Sequence, residues 1–185
     1  MGRREGWGSQ KTCPKILPSH LHASWSEWKV KLSSHSQPSL TLVLGGARSG
    51  KSRFAVELAK RRGHRIVYIA TCQARDQEMR DRIARHRQER PPSWRTIEHP
   101  ADLPEALARV DGRASGVVID DLTLYLSELL LRRQPLSAML EQVARLCRAA
   151  RRIRPSVILV SNDVGLGRVP TTRLGRRFRD AAGFA

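Results

Sequence analysis

Residues Gly45-Gly46-Ala47-Arg48-Ser49-Gly50-Lys51-Ser52 satisfy the pattern GxxxxGK[ST], and their neighbours restrict what they can build. Before them runs Leu40-Thr41-Leu42-Val43-Leu44, a short apolar stretch that reads as a buried strand; after them, Lys51 to Arg62 carries Phe54, Ala55, Leu58 and Ala59 at helical spacing. A strand, a glycine-rich turn and a helix N-terminus in that order make a phosphate cradle. The glycines let backbone N–H groups turn inward around an anion, Lys51 is placed to reach β and γ oxygens, and the Ser52 hydroxyl is placed to ligate Mg²⁺. The spacing therefore predicts a nucleotide-binding loop over residues 45–52.

The rest of the chain repeats the alternation of strand and helix. Ile66 to Ala70, Val117 to Asp120 and Ser156 to Ser161 read as buried strands, and Trp94 to Glu98 as an extended segment. Helices are expected over Arg75 to Arg90, Asp102 to Val110, Leu122 to Leu131, Leu136 to Ile153 and from about Pro170. Leu136, Met139, Leu140, Val143, Leu146, Ala150 and Ile153 form one stripe, with arginines opposite. Such alternation implies an α/β fold, a mainly parallel sheet with flanking helices, of the P-loop NTPase (RecA-like) type. A phosphate-bound Mg²⁺ needs a second acidic anchor at the end of a neighbouring strand. Asp120 fits that place, while Asp121 suits the cap of the helix beginning at Leu122.

Residues 1–38 differ from this pattern. Gly, Ser, His, Pro and three tryptophans occur there without periodicity, so they read as an irregular or disordered extension to a domain covering residues 39–185. No continuous apolar h-region marks a secretory signal, and no run approaches the ~20 apolar residues of a spanning helix. A soluble, cytoplasmic protein without membrane insertion is expected. Cys13, Cys72 and Cys147 share no CxxC spacing and suggest neither a disulfide framework nor a zinc site. The formal charge of +17 invites nucleic acid as a partner, and a basic nucleic-acid-binding P-loop NTPase module is the competing reading. Yet only six of the 34 cations are lysine, the arginines are scattered, and no aromatic stacking series accompanies them after residue 40. The expectation is no nucleic acid.

Several further segments carry more information than the loop alone. In order and spacing, Gly45 to Ser52, Tyr68-Ile-Ala-Thr71, Arg82-Ile-Ala-Arg-His86, Arg90-Pro91, Trp94-Arg-Thr96 with Glu98, Ile119 to Leu130, Val160 to Pro170 and Arg177-Phe-Arg-Asp180 resemble the bifunctional adenosylcobinamide kinase/adenosylcobinamide-phosphate guanylyltransferase family of cobalamin biosynthesis. The resemblance covers about Leu40 to Gly183. It implies two reactions at one nucleotide site: phosphorylation of the aminopropanol hydroxyl of adenosylcobinamide by ATP or GTP, then transfer of GMP from GTP, through a guanylyl-histidine, to adenosylcobinamide phosphate. The matching histidine is His86, with Lys51 as the other catalytic group. Imidazole is a competent nucleophile near neutral pH, and Arg82 and Arg90, at i−4 and i+4, are expected to share its helix face and balance phosphate charge.

The same comparison places Ala70, Thr71, Arg90 and Glu98 around the nucleotide, gives Asp120 and Ser52 to the metal, and implies a homotrimer. Asp121, Glu128 and Asp163 depart from the residues common at those positions, Asp163 being one methylene shorter than the usual Glu. The family also continues past the Arg-Asp-x-Ala-Gly segment through another helix segment and a last strand. The resemblance thus implies a domain lacking that strand, with an unpaired sheet edge, and keeps an inactive fragment among the readings.

Overall fold

Strands β1 (Leu40–Gly45), β2 (Ile66–Ala70), β3 (Arg95–Glu98), β4 (Gly116–Asp120) and β5 (Ser156–Asn162) form one sheet in the order β1-β5-β4-β2-β3, every pair parallel. Between them run α1 (Lys51–Lys60), α2 (Gln77–Gln88), α3 (Leu103–Ala108), α4 (Leu122–Leu131) and α5 (Leu136–Arg152), and α6 (Arg173–Phe184) follows β5. This computed structural model describes residues 39–110, 112–165 and 167–185. The irregular extension expected over residues 1–38 lies outside the described residues. With β5 inserted between the loop-bearing strand β1 and the acidic strand β4, the sheet has the RecA-like P-loop arrangement.

Period-two alternation in the central strands divides the core between the two faces of the sheet. Val67, Ile69, Val117, Ile119, Val157 and Leu159 face a layer made by α3, α4, α5 and α6. Ile66, Tyr68, Ala70, Val118, Ile158 and Val160 face α1 through Ala55, Val56, Leu58 and Ala59, joined by Trp94. Strands covered on both faces are apolar throughout, which is why β2, β4 and β5 read as continuous apolar runs. The edge strand β1 differs: Val43 is buried, but Leu40, Leu42 and Leu44 on the opposite face remain exposed.

Caps fix where the helices begin. The side chains of Asp76, Asp102, Asp121 and Thr172 accept backbone N–H groups of Met79, Glu105, Leu124 and Gly175 at the starts of α2, α3, α4 and α6. Helices α1 and α5 begin without such a cap. At α1 the cap is Gly50 at φ 83, with no side-chain acceptor and no acid in the first turn, so the leading N–H groups beside the glycine-rich loop stay available for a ligand. Among the described residues no helix is long and apolar enough to cross a membrane.

Leu126 of α4, fully buried against the β4–β5 face, is a test of this layer. Leu126→Ala is expected to lower unfolding free energy by about 2–5 kcal/mol in urea melts, and a loss under about 1 kcal/mol would contradict the packing.

Candidate active site

All the strands point their carboxyl ends at one rim of the sheet, and the chemistry-bearing residues gather there. The loop after β1 turns through Arg48 at φ 58 and Gly50 at φ 83, with Ser49 N donating to Gly46 O at 3.3 Å. A Cβ at Gly45 would lie 2.7 Å from Ser49 Oγ and would push that hydroxyl aside, while the positive φ of Gly50 is where the turn itself favours glycine. Lys51 opens α1 almost wholly buried, its ammonium donating to Gly46 O at 3.2 Å. A buried ammonium served by a carbonyl is poised for an anion.

Asp120, the last residue of β4, is held by three elements. Ser52 of α1 donates to its Oδ1 at 3.1 Å, and Tyr68 of β2 donates to its Oδ2 at 2.5 Å. His86 of α2 brings Nδ1 to 3.7 Å from the same Oδ2. Burial opposes ionisation of this carboxyl, but the His86, Tyr68 and Ser52 donors outweigh it and hold Asp120 below its ordinary value of 3.8. Asp121 behaves oppositely. Burial raises its pKa despite the Leu124 N–H and Thr123 hydroxyl, and the neighbouring Asp120 charge adds to the rise. Asp121 caps α4 and accepts Asn162 Nδ2 at 2.7 Å, so it acts within the scaffold.

His86 borders two cavities. A cleft of about 530 Å³ is lined by Arg48, Gly50, Lys51, Ser52, Arg82 and Arg85 among others, and a smaller one of about 30 Å³ includes Ala70, Cys72, Arg90 and Asp120. Arg90 lays its guanidinium 3.6 Å over the Tyr68 ring, while its Nε and Nη1 are buried without a hydrogen-bond partner. These orphaned donors want an anionic or carbonyl oxygen. Ser52 and Asp120 offer one hydroxyl and one carboxylate to a cation beside the loop. That hard, all-oxygen set fits Mg²⁺, which is bound through one or two carboxylates together with nucleotide phosphates.

The family described as cobinamide kinase / cobinamide phosphate guanyltransferase matches residues 41–185, the same stretch that builds the sheet and this rim. The chain belongs to that family. It is 46% identical over 143 residues to the bifunctional adenosylcobalamin biosynthesis protein CobP of Pseudomonas aeruginosa, an alignment covering 77% of this chain and 82% of that protein. It is 38% identical over 159 residues to the bifunctional adenosylcobalamin biosynthesis protein CobU of Escherichia coli, covering 78% and 86%. Among solved structures, the RadB recombinase aligns at a TM-score of 0.47 with 23% identity, over 76% of this chain and 72% of that one.

In this cobinamide kinase/guanyltransferase chain, some residues expected at the nucleotide lie elsewhere. Glu98 lines neither cavity: Arg87, in the last turn of α2, holds both its carboxylate oxygens at 2.9 and 2.5 Å on the exposed side. The Thr71 hydroxyl bonds the backbone of Asp121, donating to its carbonyl at 2.7 Å and accepting its N–H at 2.8 Å, and so braces the turn after β4. Helix α2 ends at Gln88, short of the expected Arg90, because the residue before Pro91 is disfavoured from helical geometry. Arg90 therefore reaches the smaller cavity from the turn after the helix, and there it lines the same walls as Arg82 and His86. The Asp163 carboxylate accepts the Gly165 N–H at 3.0 Å, which folds it into its own loop.

Tyr68 and Asn162 fall within segments that carry the resemblance but receive no role from the sequence, reading as ordinary strand residues, and Cys72 stands alone. Burial pushes the Cys72 thiol up against the pull of Arg82, which keeps it a poor nucleophile beside His86.

The depressed Asp120 pKa fixes a sign. Its contribution to stability is complete above the ordinary carboxyl range and is lost as pH falls through the lower folded value. The unfolding free energy of the wild type relative to Asp120→Asn should therefore decline on acidification from about pH 6 to about pH 3. A pH-independent difference would contradict the arrangement.

Proposed function

We propose that His86 carries GMP between two substrates at the same nucleotide site that performs the kinase step. The supporting observation is the imidazole beside the phosphate loop with Nδ1 turned to Asp120. The carboxylate beside Nδ1 orients the ring and leaves the lone pair of Nε2 for bond formation.

The chain is a transferase of adenosylcobalamin synthesis, a cobinamide kinase and cobinamide phosphate guanylyltransferase. In the kinase step, the aminopropanol hydroxyl oxygen of adenosylcobinamide attacks the γ-phosphorus of a nucleoside triphosphate. The new O–P bond forms as the β–γ bridge breaks, and a nucleoside diphosphate and a proton leave. In the second step, Nε2 of His86 attacks the α-phosphorus of GTP, an N–P bond forms, and the electrons of the α–β bridge leave with pyrophosphate. A phosphate oxygen of adenosylcobinamide phosphate then attacks the same phosphorus. The diphosphate bridge of adenosylcobinamide-GDP forms, the N–P bond breaks, and its electron pair returns to the imidazole.

Each step moves negative charge onto phosphate oxygens, and the protein meets it with fixed donors. Lys51 and the N–H groups at the start of α1 would face the phosphates, Arg82 flanks His86, and Arg90 borders the smaller cavity with two donors that lack a hydrogen-bond partner. Ser52 and Asp120 would hold Mg²⁺, which when bound neutralises phosphate charge.

The two transfers differ in needing a nucleophile from the protein, and this separates them experimentally. His86→Ala should abolish formation of adenosylcobinamide-GDP while phosphorylation of adenosylcobinamide persists within about ten-fold of wild type. Guanylyl transfer persisting at the wild-type rate in His86→Ala would overturn the assignment.

A further inference from the structure

We infer that Tyr68 is a positioning residue for the transfer site: its hydroxyl sets the Asp120 carboxylate and its ring face carries Arg90, so one side chain aligns the cation anchor and an anion donor together. This rests on the roles given to Asp120 and Arg90 above. Tyr68 lies in the middle of β2, 1% exposed, with its ring stacked on Trp94 at a centroid distance of 6.5 Å. The core needs only a flat apolar ring at this place, and phenylalanine would supply one. The hydroxyl does something else.

The two oxygens of Asp120 are held by different donors, Oδ1 by Ser52 and Oδ2 by Tyr68. With both held, the carboxylate cannot rotate about its Cβ–Cγ bond without breaking a bond in a buried setting, where the loss is costly. Ser52 is itself a candidate ligand, so its hold on Oδ1 is exchangeable, whereas the Tyr68 hydroxyl, which also meets Arg90, has Asp120 as its one acceptor among the described residues. The Tyr68 hydroxyl donates to Oδ2 and so keeps that oxygen occupied. Asp120 thus retains one fixed oxygen while the other is free to turn to a ligand.

The opposite end of the effect is the ring face. Arg90 follows the end of α2, in a turn, and its Nε and Nη1 have no hydrogen-bond partner, so the Tyr68 ring under its guanidinium is what defines the plane of the fork. With its central carbon 3.6 Å over the ring centroid, the guanidinium is held at the wall of the cavity that Asp120 and His86 also border. Tyr68 touches neither reacting atom. It acts through these two neighbours.

Removing the hydroxyl and removing the ring should therefore have separable effects. In purified full-length protein, Tyr68→Phe should raise the Mg²⁺ concentration needed for half-maximal enhancement of GTP binding by about ten-fold or more. Its GTP affinity in EDTA should stay within about two-fold of wild type, because the Arg90 platform remains. Tyr68→Leu should show the same Mg²⁺ defect and also lose about five-fold or more in EDTA, a loss that Arg90→Ala reproduces without moving the Mg²⁺ midpoint. Urea melts of each variant report packing, and Tyr68→Phe, which keeps the ring, carries the decision if Tyr68→Leu fails to fold. A wild-type Mg²⁺ midpoint in Tyr68→Phe, or equal losses with and without Mg²⁺, would overturn the inference. Failure of the wild-type protein itself to bind GTP with Mg²⁺ would instead overturn the functional reading beneath it.

Discussion

The carboxylate of Asp120 is the point on which the site depends. It stands at the end of a central strand, nearly buried, and three elements reach it: α1 through Ser52, β2 through Tyr68 and α2 through His86. A buried charge is tolerated only when its oxygens are satisfied, and here the donors that satisfy it come from the phosphate-loop helix, a central strand and the helix that carries His86. The parallel sheet makes this possible by bringing the carboxyl ends of β1, β2, β4 and β5 to one rim.

Around that point the structure separates scaffold from function. Asp121, adjacent in sequence, caps α4 and bonds Asn162, and the backbone around it is braced by Thr71. Its neighbour is thereby left free of capping duty. Helix α2 is the counterpart of this rigid rim. It has no buried residue and is joined to the rest through polar contacts, Arg87 to Glu98 and His86 to Asp120. The histidine we propose as carrier of the transferred group is thus mounted on a helix with no buried residue, which suits a residue that must meet a donor and then an acceptor.

Much of the fold was legible because the determinants are local. Continuous apolar runs marked β2, β4 and β5, and the glycine-lysine-serine spacing marked the loop and the helix after it. That Lys51, Ser52 and Asp120 meet at one rim was legible because each sits next to such a marker. The site was not legible where a contact joins distant segments. Tyr68 meets Asp120 across 52 positions, and nothing in a β-strand's alternation tells a packing tyrosine from one that aligns a carboxylate. Glu98 was placed at the nucleotide by resemblance, whereas its partner depends on where α2 lies in space, and Arg87 takes it. The end of α2 was overrun by two residues although Pro91 was there to be read as a stop.

The charge also has a clearer meaning once the rim is built. The cations that matter are few and placed, namely Lys51 in the loop, Arg82 beside His86 and Arg90 on the Tyr68 ring. Others, such as Arg109, Arg132 and Arg148, pair with acids on the outer faces of helices, where such pairs contribute little. The most direct measurement of the central claim is incubation with α-labelled GTP and Mg²⁺ followed by isolation of the protein. The account predicts a label that is acid-labile and alkali-stable, as a phosphoramidate is, and that is absent from His86→Ala; a label undiminished in that variant would contradict it.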